Sequence, residues 1–107
     1  MQSNDIAALA DAMDAADPVA AKGARLALEG LTHKAAAPGK GADRAKVADA
    51  LVAALAKRRS RVARGHILRL VGFVGDRRHE RALAAHERDN ETGEDARLAR
   101  ERIRRGP

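Results

Sequence analysis

Few residues in this chain could do chemistry. His79 and His86 stand seven apart in a stretch that reads as one helix. That is about 10 Å along the axis, too far for both to bind one metal ion directly. Each opens a His-Glu-Arg tripeptide, but the spacing lacks the four-residue interval of a HExxH zinc helix. They read as partly buried or solvent-facing histidines. His33 falls near the end of a helix, where positive charge is favoured. His66 flanks an apolar stripe and reads as a hydrogen-bonded core histidine. The hydroxyls are Ser3, Thr32, Ser60 and Thr92, and none sits in a nucleophile motif with a base and an orienting acid. There is no cysteine, which removes thiolate nucleophiles, disulfides and Cys-based zinc sites. Gly39-Lys40-Gly41 invites a phosphate-loop reading, but that loop needs GxxxxGK[ST] between a strand and a helix. The carboxylates fall at helix starts and on polar faces, where they complement dipoles and neighbouring arginines. The expectation is a protein that is not an enzyme, with no cofactor, no metal and no small-molecule substrate.

The basic residues remain. Residues 1–54 hold 6 Lys/Arg and 7 Asp/Glu, net −1, whereas residues 55–107 hold 15 and 8, net +7. Most of the cations are arginine, which can bond phosphate or carboxylate with two parallel N–H groups. A solvated face of an Arg-rich protein is the bland alternative.

The elements that would position these cations are helices. At 107 residues one domain is expected. Trp and Tyr are absent and Phe73 is the one aromatic residue, so the core must come from Ala, Leu and Val, a composition that favours helix over strand. The central run is Ser60–Gly75, SRVARGHILRLVGFVG. At 3.6 residues per turn Ala63, Ile67, Leu70, Val71 and Val74 form one stripe. Val62, His66 and Phe73 widen it on one flank, and the remaining arc carries Arg61, Arg64 and Arg69 with Gly65 and Gly72 between them. Ser60 suits an N-cap and Gly75 a stop.

Ser3 or Asn4 can cap a first helix with Ile6, Leu9, Ala10 and Met13 inward, ending near Ala15. Asp17-Pro18 restarts the chain. The second helix runs to about Lys34 on a stripe of Ala24, Ala27, Leu28 and Leu31. A loop at Ala36–Ala42 is punctuated by Pro38, Gly39 and Gly41. Asp43 caps a third helix with Val47, Leu51, Val52, Ala54 and Leu55 inward, and Lys57–Arg61 turns into the central helix. A fifth helix spans about Arg77–Glu87, with a thin face of Ala82, Leu83 and Ala85. The last, about Glu94–Arg104, carries Ala96, Leu98, Ala99 and Ile103 and stops at Gly106-Pro107. No apolar run approaches the length of a membrane span, and the acidic N-terminus does not resemble a signal peptide. A cytoplasmic protein without membrane contact is the expectation.

The chain repeats itself. ARLALEGL at 24–31 and ARLARERI at 96–103 share five of eight positions. HILRLVGF at 66–73 matches the first at both leucines and the glycine, with offsets of 42 and 30 residues. Periods of this size built from helix pairs indicate an α-solenoid. The second helices DPVAAKGARLALEGL and SRVARGHILRLVGFVGD resemble HEAT repeats in their polar turn, small mid-helix residue, leucine pair and late glycine. The resemblance implies an all-α fold, a short α-solenoid of about three antiparallel helix pairs at about 4–35, 43–75 and 77–105, spanning 1–107 as a single domain. A simple helical bundle is the alternative. Arg102 and Arg100 depart from the pattern in the third pair, as suits a polar capping repeat.

In such arrays the second helices line a concave side that takes the ligand. Lys22 and Arg64 occupy equivalent positions in the alignment, and Arg61 and Arg69 would widen them into a basic row. Two readings follow. In one, the row binds an acidic segment of another protein, making the chain a scaffolding module. The alternative partner is nucleic acid, held weakly and salt-dependently through phosphate, since stacking aromatics are missing. In the other, Gly23 and Gly65 allow close helix packing and the cations are merely solvated.

Overall fold

The computed structural model describes residues 3–37, 39, 41–57 and 59–106, without the side chains of Ser3 and Asn4. The cap expected at Ser3 or Asn4, Pro38 and Lys40 of the loop, Arg58 of the turn and the final Pro107 lie outside the described residues. The chain forms α1 (Ser3–Ala12), α2 (Pro18–Ala35), α3 (Gly41–Ala54), α4 (Arg61–Val74), a 3-10 turn (Arg77–His79) that runs into α5 (Glu80–His86), and α6 (Gly93–Arg105). The described residues contain no strand, so the fold is all-α. None of these helices is long and apolar enough to cross a membrane.

Local chemistry sets most of the boundaries. The Asp17 carboxylate accepts from the Val19 N–H at 3.1 Å with Pro18 opening α2, and the Ser60 hydroxyl accepts from the Ala63 N–H at 3.1 Å. Each satisfies a donor that a helix start leaves free. Gly106, at φ 75°, closes α6. Three boundaries differ from expectation. Helix α1 ends at Ala12, near the Asp14 carboxylate that turns to Ser60. Asp43 lies inside the first turn of α3, which begins at Gly41. The fifth helix starts as a 3-10 turn because Asp76 caps it twice over. Asp76 accepts from the Arg78 N–H at 2.9 Å, and its own N–H donates to His79 Nδ1 at 2.9 Å.

Helix α1 packs on α2 and α3, α3 on α4 and the 3-10 turn, and α5 on α6; α2 also touches α3, and α4 meets α2 and, most extensively, α6. Helix α1 therefore lies beside α3, and α4 lies between α2 and α6. The Cα envelope of 37 × 33 × 17 Å has the thickness of two helix layers about 10 Å apart. Ile6, Leu28, Leu51, Ile67, Val71 and Leu83 are fully buried between them.

The central helix departs most from the sequence reading. Its expected stripe of Ala63, Ile67, Leu70, Val71 and Val74 is buried. The arc expected to show arginine and glycine is buried too, at Gly65, Leu68 and Gly72, because α6 covers it. A Cβ on Gly72 would lie 3.0 Å from the Ala99 Cα, and one on Gly65 would lie 2.8 Å from Asp95 Oδ2. Val62, placed on the apolar flank, is 70% exposed. Ala27, Ala85 and Leu98, all expected inward, are exposed.

Arginines tie the ends of the helices. Arg44 of α3 donates to the carbonyls of Phe73 at 3.0 Å and Val74 at 3.2 Å, capping the end of α4. Arg59 is buried; its Nη1 donates to the Ala54 carbonyl at the end of α3 and its Nη2 to Asp11 of α1 at 2.9 Å. One guanidinium thus meets a free carbonyl at the end of α3 directly, where positive charge is favoured.

Candidate functional site

The expected basic row divides into three separate settings. Arg64 is the most engaged. Its Nε donates to the Arg59 carbonyl at 3.0 Å, Nη1 to Asp89 at 2.9 Å and Nη2 to Glu91 at 3.0 Å. Arg61 donates to the Glu91 carbonyl at 3.3 Å. These two converge on the turn between α5 and α6, at one side of a cleft of about 350 Å³ lined by Leu55, Lys57, Arg59, Arg64, Asp89 and Glu91. Asp89 is held below the usual carboxylate range, first by the N–H groups of Glu91 and Thr92 and then by Arg64. Arg69 lies elsewhere on α4 and donates to Asp95 of α6 at 3.1 Å. Lys22, on α2, is exposed and has no hydrogen bond or ion pair among the described residues. Three of the four cations therefore already hold groups of the third pair, and Gly65 serves close packing as one of the two readings expected. Gly23 meets nothing within 4 Å.

The histidines take structural places. His79 is buried. Its Nδ1 accepts from the Asp76 N–H, so Nε2 carries the proton and donates to Asp49 at 2.8 Å. His66 lies between α2 and α4, and burial lowers its pKa; nearby Glu29 and a hydrogen bond with the Arg25 backbone oppose that shift, while the charges of Arg69 and Arg25 add to it. Among the described residues no three His, Asp or Glu side chains come together as metal ligands.

A different surface emerges from the exposed apolar residues. The large ones are Val19 at 78%, Leu26 at 53%, Val62 at 70% and Leu98 at 45%. All four are on second helices. On α2, Val19, Lys22, Leu26 and His33 share one side by their spacing of three, four and seven. On α4 the corresponding side is Val62, His66, Arg69 and Phe73, and on α6 it is Asp95, Leu98, Arg102 and Arg105.

Contacts join these three stripes. The His33 and Phe73 rings lie 5.2 Å apart at a 48° tilt. The Arg102 guanidinium carbon sits 3.9 Å from the Phe73 ring centroid, a cation–π distance. Phe73 thus bridges α2 and α6, and the Arg69–Asp95 pair adds a second tie between α4 and α6. The result is one outward face with apolar points set among the cations Lys22, Arg69, Arg102 and Arg105.

Lys22 and Arg69, named from the sequence, lie on this face; Leu26, Leu98 and Arg102 were not named there as binding residues. One signal was legible: Val19 and Leu26 are seven apart, on the side of α2 opposite Leu28 and Ala24. Compared with family models, with curated proteins and with solved structures, the chain matches none.

Proposed function

We propose that the protein is a non-catalytic interaction module, a short HEAT-like array whose second-helix face binds an acidic amphipathic segment of another protein. The observation that carries this reading is the gathering of Val19, Leu26, Val62 and Leu98 on one face. Fully burying such a side chain stabilises a complex by about 1.5–3 kcal/mol. Arginine and lysine among them favour a partner with carboxylates flanking its apolar residues. The contacts of α1 with α3 and of α4 with both α2 and α6 support the array reading. The interaction face is the outer side of α2, α4 and α6, with Lys22, Arg69 and Arg102, while Arg61 and Arg64 act within the molecule.

The probe is a fluorescent amphipathic peptide of leucine and glutamate, titrated against the protein with methyl resonances followed by NMR. Shifts at Leu26, Val62 and Leu98 that Leu26→Asp abolishes are the expected result. Shifts confined to other faces, or a face occupied by a second copy in sedimentation, would remove the reading.

A further inference from the structure

The cations best placed for an outside partner lie on the other layer. Arg77 in the 3-10 turn, Arg81 in α5 and Arg88 just beyond it are exposed. None of their side chains makes a hydrogen bond or ion pair among the described residues. Arg81 stands on the exposed side of α5 while Leu83 on the same helix is fully buried, and Arg77 and Arg88 flank that helix at its two ends.

The acids of this stretch are already partnered. Glu80 accepts from Arg104 at 2.7 Å and lies 3.9 Å from Arg100. Glu87 accepts from Arg100, and Asp76 binds Arg78 and the 3-10 turn. Arg100 and Arg104 of α6 thereby absorb both glutamates and leave the outer side of α5 to arginine alone.

We infer that Arg77, Arg81 and Arg88 form a second binding surface, a ridge that takes the phosphate backbone of duplex nucleic acid without reading its sequence. Guanidinium groups bond phosphate oxygens in pairs and need no further chemistry for this task. Two alternatives fit less well. An anionic bilayer is held by apolar insertion as well as charge, yet the exposed large hydrophobics are all on the second helices. Single strands call for stacking platforms, yet Phe73 is enclosed by His33 and Arg102 on that same second-helix layer.

The test is a fluorescent duplex of about 20 base pairs, followed by anisotropy over a roughly tenfold range of salt. Three phosphate contacts give a slope of log affinity on log salt near about −2.7, a loss of about 500-fold over that range. Arg81→Ala should lower the slope by about 0.9, and the triple variant Arg77→Ala, Arg81→Ala, Arg88→Ala should abolish binding. Lys34→Ala, which removes one exposed charge from α2, should leave the slope unchanged. Circular dichroism melts check that each variant is folded. Equal loss in Lys34→Ala and Arg81→Ala, absence of duplex binding at low salt, or tighter binding to vesicles of phosphatidylserine and phosphatidylcholine would overturn the inference. The acidic peptide and the duplex should bind together, since they use opposite layers; competition between them would overturn the separation of the two surfaces.

Discussion

Gly72 of α4 meets Ala99 of α6 so closely that a Cβ on Gly72 would lie 3.0 Å from the Ala99 Cα and 3.2 Å from its Cβ. This contact makes α4 a helix buried on two sides, and it holds the third pair against the second.

Two alanine substitutions should therefore have opposite signs. Gly72→Ala overpacks a backbone contact that has little room to yield, and should destabilise by about 1–3 kcal/mol. Gly23→Ala enters open space on an exposed helix side, and should stabilise by about 0.5–1 kcal/mol through helix propensity. Urea midpoints read both. A stabilised Gly72→Ala variant would mean that α6 does not pack there.

Arg59 is the buried cation among the described residues. Replacing it with Met leaves the end of α3 uncapped and Asp11 with Lys57 alone. The expected loss is about 2 kcal/mol, below that of a fully buried pair because Asp11 is half exposed. Lys57→Met, which removes an exposed partner of the same carboxylate, should cost much less. Comparable losses in the two variants would contradict the capping role.

His66 predicts a pH dependence. Burial sets its folded pKa below the ordinary 6.5, so protonation favours the unfolded chain. Its contribution to stability is complete above that value and shrinks as pH falls below it. Asn in place of His66 should flatten this limb of the stability curve between neutral and mildly acidic pH. An unchanged limb in His66→Asn would assign the dependence to other groups.

Arg64 clamps the turn between α5 and α6. Arg64→Ala should speed amide exchange at Glu91 and Thr92, whose N–H groups bond Asp89, more than at Leu70 or Val71 in the core of α4. Uniform acceleration would indicate global destabilisation instead of a local clamp.

The second-helix face should separate binding from folding. Leu26→Asp and Val62→Asp change residues that are already exposed, so melting temperatures should move little, within about 0.5 kcal/mol of stability. Binding of the acidic peptide should fall at least about tenfold for each. Loss of stability in parallel with binding would place these residues in the core.

The sequence by itself determined the helices and most of the inward face of α4, because periodicity, caps and glycine stops act over a few residues. Asp17-Pro18, Ser60 and the stripe Ala63, Ile67, Leu70, Val71 and Val74 were legible for that reason. The tertiary structure alone decided what covers the other side of α4. Gly65 and Gly72 carry no side chain, so nothing in their hydropathy announces a docking face; only the approach of Asp95 and Ala99 creates it. The same long-range packing decided which cations are free. Arg61, Arg64 and Arg69 look as solvated as Arg77, Arg81 and Arg88 in one dimension. The first three turn out to hold Glu91, Asp89 and Asp95, residues 25 to 30 positions away in the chain. Charge pairing over that distance depends on how helix pairs stack, a relation no local pattern encodes.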